Sequence, residues 1–196
     1  MIGIINYGIG NIKAFANVYH NLNIPYLVVT RPEHFEENIS KLILPGVGAF
    51  DHAMTILNRS GLRQPLEKKV LNDKVPVMGI CVGMQILANS SDEGSLQGLG
   101  WIEGRVRKFD TSLISHKPQL PHVGWNSVDP SSGEPLLEGI GNGALFYFLH
   151  SYYFECARPS NSIATANYGT DFSCAVRENN IYGVQFQPEK GHENGI

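Results

Sequence analysis

The segment Val77-Met-Gly-Ile-Cys-Val-Gly-Met-Gln-Ile-Leu87 sets the architecture of this chain. Val75 to Ile80 is apolar and rich in β-branched residues, which predicts a short buried strand. Val82 to Asn89 predicts a helix, with Met84, Leu87 and Ala88 among its apolar positions. Between them lies Gly79-Ile-Cys-Val-Gly83, a G-x-C-x-G sequence. This is a strand-to-helix elbow with cysteine where the related motif carries serine. A nucleophile on so sharp a turn crowds the backbone two residues before and two after, where a Cβ would clash. The elbow sets the sulfur at a helix N-terminus, where the dipole and free N–H groups favour thiolate. A buried, inert cysteine beside packing glycines is the competing reading. Both glycines, the strand and the helix together favour Cys81 as a nucleophile.

The preceding residues alternate strand and helix. Ile2 to Asn6 reads as a strand, Tyr7-Gly-Ile-Gly-Asn11 as a glycine loop, and Ile12 to Leu22 as a helix. The loop lacks the third glycine of a dinucleotide fingerprint, because position 13 is Lys, and no Walker A pattern occurs. Pro25 to Thr30 is a second strand, followed by a short helix from Arg31 with Pro32 in its first turn. Lys41 to Pro45 is a third strand, ending in Pro45-Gly-Val-Gly-Ala-Phe50. Such a glycine pair either makes an ordinary turn or aims backbone N–H groups at an acyl oxygen. Alternating β and α predicts a parallel sheet, whose ligands sit beyond the C-terminal strand ends. Pro45–Gly48 and Cys81 fall at such ends.

The second half predicts short strands separated by Gly, Pro, Asn and Ser turns. They cover Trp101 to Phe109, Gly124 to Val128, Ala144 to Phe154, Ile163 to Ala166, Ser173 to Arg177 and Tyr182 to Phe186. Asn179-Asn180 reads as a hairpin turn. The aromatic run Leu145 to Phe154 reads as a central core strand, with Phe148 and His150 on one face and Tyr147 and Ser151 on the other. His150 is either a satisfied core residue or part of a site. After the last strand, Glu189 either orients a base or pairs with Lys190 at the surface.

Length, composition and charge set limits. At 196 residues the chain predicts one domain spanning 1–196. The expected fold is α/β: a flavodoxin-like, doubly wound, mostly parallel sheet with added antiparallel strands in the C-terminal half. With 42% hydrophobic and 17% charged residues the chain can build a sizeable core. A net charge of −3 gives no sign of a nucleic-acid or membrane-surface binder. Cys81, Cys156 and Cys174 fit neither a disulfide framework nor a zinc pattern, and suggest a reduced, cytoplasmic setting. The first residues lack the basic start of a signal peptide. No apolar run approaches the roughly 20 residues of a membrane span.

Further pieces carry a resemblance: Asn6-Tyr-Gly-Ile-Gly-Asn11, Pro45 to Phe50, Gly79 to Gln85, Leu99-Gly-Trp101, Pro121-His-Val-Gly-Trp-Asn126, His150-Ser-Tyr-Tyr153 and Pro188-Glu-Lys190. Together they resemble the class I, triad-type glutamine amidotransferases across essentially the whole chain. Among these, the first and the Pro-His-Val-Gly-Trp-Asn pieces are most similar to the glutaminase subunits of imidazole glycerol phosphate synthase, an enzyme of histidine biosynthesis. The resemblance implies that Cys81 forms a γ-glutamyl thioester with glutamine. It implies that Gly48 and Val82 supply oxyanion N–H groups. Gln85 and Glu93 would hold the substrate's amino-acid head, with backbone contacts from Ser151 and Tyr152. Ammonia would pass to a separate (β/α)₈ cyclase subunit that makes imidazole glycerol phosphate and AICAR. Asn11, Trp125, Tyr147 and Lys190 match positions at that heterodimer interface. The resemblance implies no metal and no organic cofactor.

One departure matters most. The family reads Phe-His-Pro-Glu where this chain reads Phe186-Gln-Pro-Glu189. The missing histidine is the general base of a Cys-His-Glu triad, and Gln187 cannot carry a proton at neutral pH. His150 and His192 are the candidates to replace it. The chain also ends at Ile196, where the family usually continues into a C-terminal helix. Two alternatives follow: a paralogous subunit serving surface-sugar amidation, or a non-catalytic scaffold for a cyclase fed by free ammonia.

Overall fold

The computed structural model describes residues 1–115 and 119–195. Its centre is a row of five parallel strands. In spatial order these are β2 (Tyr26–Val29), β1 (Ile2–Ile5), β3 (Lys41–Gly46), β4 (Val77–Cys81) and β12 (Ile181–Val184). α1 (Ile12–Asn21) joins β1 to β2. α2 (Phe50–Arg59), α3 (Arg63–Glu67) and a π turn at Lys68–Asn72 join β3 to β4. This 2-1-3-4 order is that of the doubly wound flavodoxin-like folds. Ile4, Ile5, Leu42, Leu44, Met54 and Leu57 are fully buried. β1, β3 and β4 read as continuous apolar runs because both faces of a parallel sheet are covered.

The C-terminal half extends the same sheet in antiparallel fashion. β12 pairs with β11 (Thr170–Glu178), then come β10 (Ser162–Tyr168), β7 (His122–Pro130) and β8 (Ala144–His150). β9 (Tyr152–Cys156) pairs with both β11 and β6 (Gly104–Lys108), and β6 pairs with β5 (Ser90–Ser91). The turn between β11 and β12 holds Asn179 at φ 55°, a conformation Asn tolerates.

Three expectations need correction. The helix after Cys81 is a single turn, α4 (Val82–Gln85), not Val82 to Asn89. Leu87 and Ala88 donate to the Met84 and Gln85 carbonyls three residues back, and the Asn89 N–H goes to the Gly104 carbonyl, so no second α turn forms. The strand expected from Trp101 begins only at Gly104. The aromatic run breaks at Ser151 into β8 and β9, and β8 is the edge of the sheet instead of its centre. Phe146, Phe148 and His150 point into the core, while Leu145 and Leu149 are exposed.

Candidate active site

Cys81 sits at the end of β4 with φ 57° and ψ −116°. A non-glycine residue held there costs about 1–3 kcal/mol and needs rigid surroundings. Glycines supply them. A Cβ on Gly83 would overlap the Leu44 carbonyl, and one on Gly79 would overlap the Gly83 carbonyl. Gly46, paired with Cys81 across β3 and β4, would drive a Cβ into the Gly83 amide. The glycine loop after β1 serves packing too: Gly10, at φ +109°, leaves 2.8 Å between an added Cβ and the Pro45 Cβ.

The elbow does not favour thiolate as expected. Burial pushes the Cys81 thiol up to about 11. The Val82 N–H pulls it down, and the Glu189 charge pushes it up again. A hydrogen bond from the Gln187 side chain and the Lys190 charge oppose the rise only weakly. A one-turn helix has little dipole to set against desolvation.

The thiol faces a pocket of about 270 Å³, a size suited to an amino acid. Gly48, at φ +88°, and Val82 line it beside Cys81. Gln85, Glu93, Ser151, Tyr152 and Gln187 line it as well. Val47, Pro121 and Leu149 complete the wall. Glu93 Oε2 accepts from the Phe50 N–H at 2.8 Å, which ties this carboxylate to the start of α2, two residues past Gly48. Asp51 returns the tie by accepting from the Ser95 and Leu96 N–H groups at 2.9 and 3.0 Å. Gln85 Nε2 donates to the Tyr152 carbonyl at 3.1 Å and to Gln185 Oε1 at 3.0 Å. Gln185, fully buried, in turn reaches Cys81 Sγ at 3.8 Å. Sequence reasoning missed Gln185; its signal was an amide at an inward position between Val184 and Phe186.

Gln187 is buried at the thiol, and its backbone N–H donates to the Tyr147 carbonyl at 2.9 Å. Glu189 does not line the pocket, though its charge reaches the Cys81 thiol. Its Oε2 is buried with no hydrogen-bond partner among the described residues. Burial holds this carboxyl above its usual range, against its own backbone N–H and the Lys190 charge. An imidazole at position 187 would give Glu189 an N–H to accept; the glutamine gives the thiol no proton acceptor of useful basicity.

His150 lines the pocket but is not free to replace that base. Its Nδ1 lies 2.8 Å from the Tyr152 carbonyl and its Nε2 lies 3.1 Å from His122 Nδ1. Burial holds it down to about 3. The His192 side chain lies outside the described part of the structure.

The four expected interface residues occupy the β7–β8 end of the sheet and its neighbourhood. Trp125 and Tyr147 are paired across the two strands, ring centroids 5.9 Å apart. Lys190 Nζ sits 4.6 Å over the Tyr147 ring. Asn11 is exposed at the N-terminus of α1, the helix that meets the Pro188–Lys190 turn. Val123, Leu145 and Leu149 add exposed apolar surface. Among the described residues, no helix is long and apolar enough to cross a membrane. Nor do three His, Cys, Asp or Glu side chains gather where a metal could be held.

Comparison with known proteins identifies relatives of this chain. The chain is 57% identical to the imidazole glycerol phosphate synthase subunit HisH of Bdellovibrio bacteriovorus, over 100% of this chain and 96% of that protein. It is 50% identical to the subunit of the same name from Leptospira borgpetersenii, with the same coverage. A crystal structure of a glutamine amidotransferase superposes with a TM-score of 0.75 at 19% identity, covering 99% of this chain and 93% of that one. The family model for glutamine amidotransferase class-I matches residues 3–195, and the chain belongs to that family.

Proposed function

We propose that residues 1–196 form one domain acting as the glutaminase subunit of an imidazole glycerol phosphate synthase in the cytoplasm. Cys81 Sγ attacks the side-chain carbonyl carbon of glutamine. The C–N bond breaks, ammonia leaves, and a γ-glutamyl thioester remains for water to hydrolyse to glutamate. Gly48 and Val82 N–H groups receive the developing oxyanion. Glu93, Gln85 and the Ser151–Tyr152 backbone hold the amino-acid head. The ammonia serves a (β/α)₈ cyclase subunit bound on the face of Asn11, Trp125, Tyr147 and Lys190. No metal or organic cofactor enters this chemistry. The observation that carries the reading is the single pocket bringing Cys81, Gly48, Val82, Gln85, Glu93 and Tyr152 together from distant parts of the chain.

Gln187 sets the rate. Attack needs a thiolate, and the buried thiol resists ionisation. The departing ammonia needs a proton and the incoming water a base, and Gln187 supplies neither. A positioned acid–base group is worth roughly 10²–10⁴ in rate. We expect the chain, with its cyclase partner, to hydrolyse glutamine at least about a hundredfold more slowly than a Gln187→His variant. Ammonia-driven synthesis should be unchanged by that substitution, and Cys81→Ala should remove the glutaminase activity of both. Steady-state glutaminase and ammonia-dependent assays of the complex measure this. Equal rates for the unsubstituted chain and the Gln187→His variant would mean that another residue is the base.

A further inference from the structure

We propose that His122 and His150 are positioning residues: they form a one-way chain of hydrogen bonds that runs from Asn126 to the Tyr152 carbonyl and fixes the rim of the Cys81 pocket. The inference rests on the reading of that pocket as a glutamine site and adds to it two residues that do not touch the reacting atoms.

The pairing of β7 with β8 sets His122 directly opposite His150. Four groups then follow in line. Asn126 Nδ2 is 3.3 Å from His122 Nε2, His122 Nδ1 is 3.1 Å from His150 Nε2, and His150 Nδ1 is 2.8 Å from the Tyr152 carbonyl oxygen. The direction follows from chemistry. A carbonyl only accepts, so His150 carries its proton on Nδ1 and, when neutral, accepts at Nε2. His122 must therefore donate from Nδ1 and accept at Nε2, where the amide N–H of Asn126 serves it. The Asn126 amide is oriented independently: its Nδ2 donates to the Asn167 carbonyl at 2.8 Å and its Oδ1 accepts from the Ser127 N–H at 2.8 Å. Every donor in the line meets an acceptor. A second proton on either ring would set two donors face to face.

The surroundings keep the rings neutral and still. His122 is stacked between Tyr168 and Phe148, with centroids at 4.1 and 5.1 Å. His150 packs on Phe109 and Phe172. Both histidines are buried, and burial holds His122 down to about 4.

The line ends where the pocket begins. The Tyr152 carbonyl that receives His150 also receives Gln85, whose amide bonds Gln185, which contacts Cys81 Sγ. The edge hairpin is thus tied to the thiol through six consecutive contacts. Trp125 and Tyr147 occupy the same two strands, so a protein seated on them bears on the hairpin that carries this line.

Two measurements on the full chain test the relay. In ¹⁵N-histidine-labelled protein at pH 7, long-range ¹H–¹⁵N spectra should show both rings neutral and protonated at Nδ1. A cationic or Nε2-protonated form of either ring overturns the proposal. Second, Cys81 is alkylated with a glutamine-shaped chloroketone and with iodoacetamide. His122→Leu and the milder Asn126→Leu should each lower the chloroketone rate relative to iodoacetamide about tenfold or more. His122→Asn, whose amide replaces the Nδ1 donor, should keep the ratio. An unchanged ratio in both leucine variants, or equal loss with both reagents, overturns the relay. A chloroketone with no advantage over iodoacetamide in the unsubstituted chain would instead defeat the glutamine reading, and the tautomers would then decide the relay alone.

Discussion

Cys81 combines a strained backbone, which exposes its sulfur to the pocket, with burial that keeps the sulfur protonated. The thiolate is the reactive form, so this opposition is open to measurement. Iodoacetamide labelling of Cys81 should rise about tenfold per pH unit from neutral until pH nears 11, where the thiol titrates. Because the Glu189 charge raises the thiol, Glu189→Gln should lower its titration and speed labelling at a fixed neutral pH. A flat profile, or a slower Glu189→Gln protein, would mean that burial does not control the sulfur. The proposed nucleophile and the proposed loss of a base at position 187 are both drawn from the chain alone, because each is a matter of residue identity at fixed spacing. The height of the thiol's pKa was not. It depends on how deeply β12, β4 and the Gln187 turn bury one atom, and local spacing carries no trace of that.

The elbow and the sheet around it are one packed object. Gly83 lies against the Leu44 carbonyl, so α4, β3 and β4 close on each other without room for a methyl group. Gly83→Ala should destabilise the fold by about 3 kcal/mol, lowering Tm by roughly 6–12 °C. Gly141→Ala is the control, since an added Cβ there meets nothing within 4 Å. Similar melting of the two variants by circular dichroism would show that the elbow relaxes freely. The parallel strands were readable from their continuous apolar runs, and the elbow from its two glycines. The length of α4 was misread for a definite reason. Its apolar spacing is helical up to Ala88, but Leu87 and Ala88 bond three residues back and the Asn89 N–H is taken by the Gly104 carbonyl at the start of β6. The edge position of β8 escaped as well. Alternating aromatic residues suit a central strand and an edge strand equally until the register with β7 is known.

The molecule as a whole is asymmetric. One end of its sheet carries the pocket, and the neighbouring β7–β8 face exposes Val123, Trp125, Leu145 and Leu149, all between 43% and 54% accessible. Clustered exposed apolar residues of this kind mark an interaction surface. Its centre has the composition of a binding hot spot: Trp125 edge-on to Tyr147, with Lys190 over the tyrosine ring. The cation fits a partner whose facing rim is acidic, and it orients that partner over the turn bearing Gln187 and Glu189. Trp125→Ala should weaken binding of the partner subunit proposed above by about 2 kcal/mol or more, roughly 30-fold in Kd. Lys190→Glu should weaken it too, and the effect should diminish as salt screens the charge. Leu71→Ala, on the π turn between α3 and β4 and exposed to a similar degree, should leave Kd unchanged. Titration calorimetry at two salt concentrations separates these outcomes. Should Trp125→Ala and Lys190→Glu both bind like the unsubstituted chain, the partner docks elsewhere. The hairpin would then be under no load from it, and the line of contacts from Asn126 to Cys81 would hold the pocket without sensing the partner.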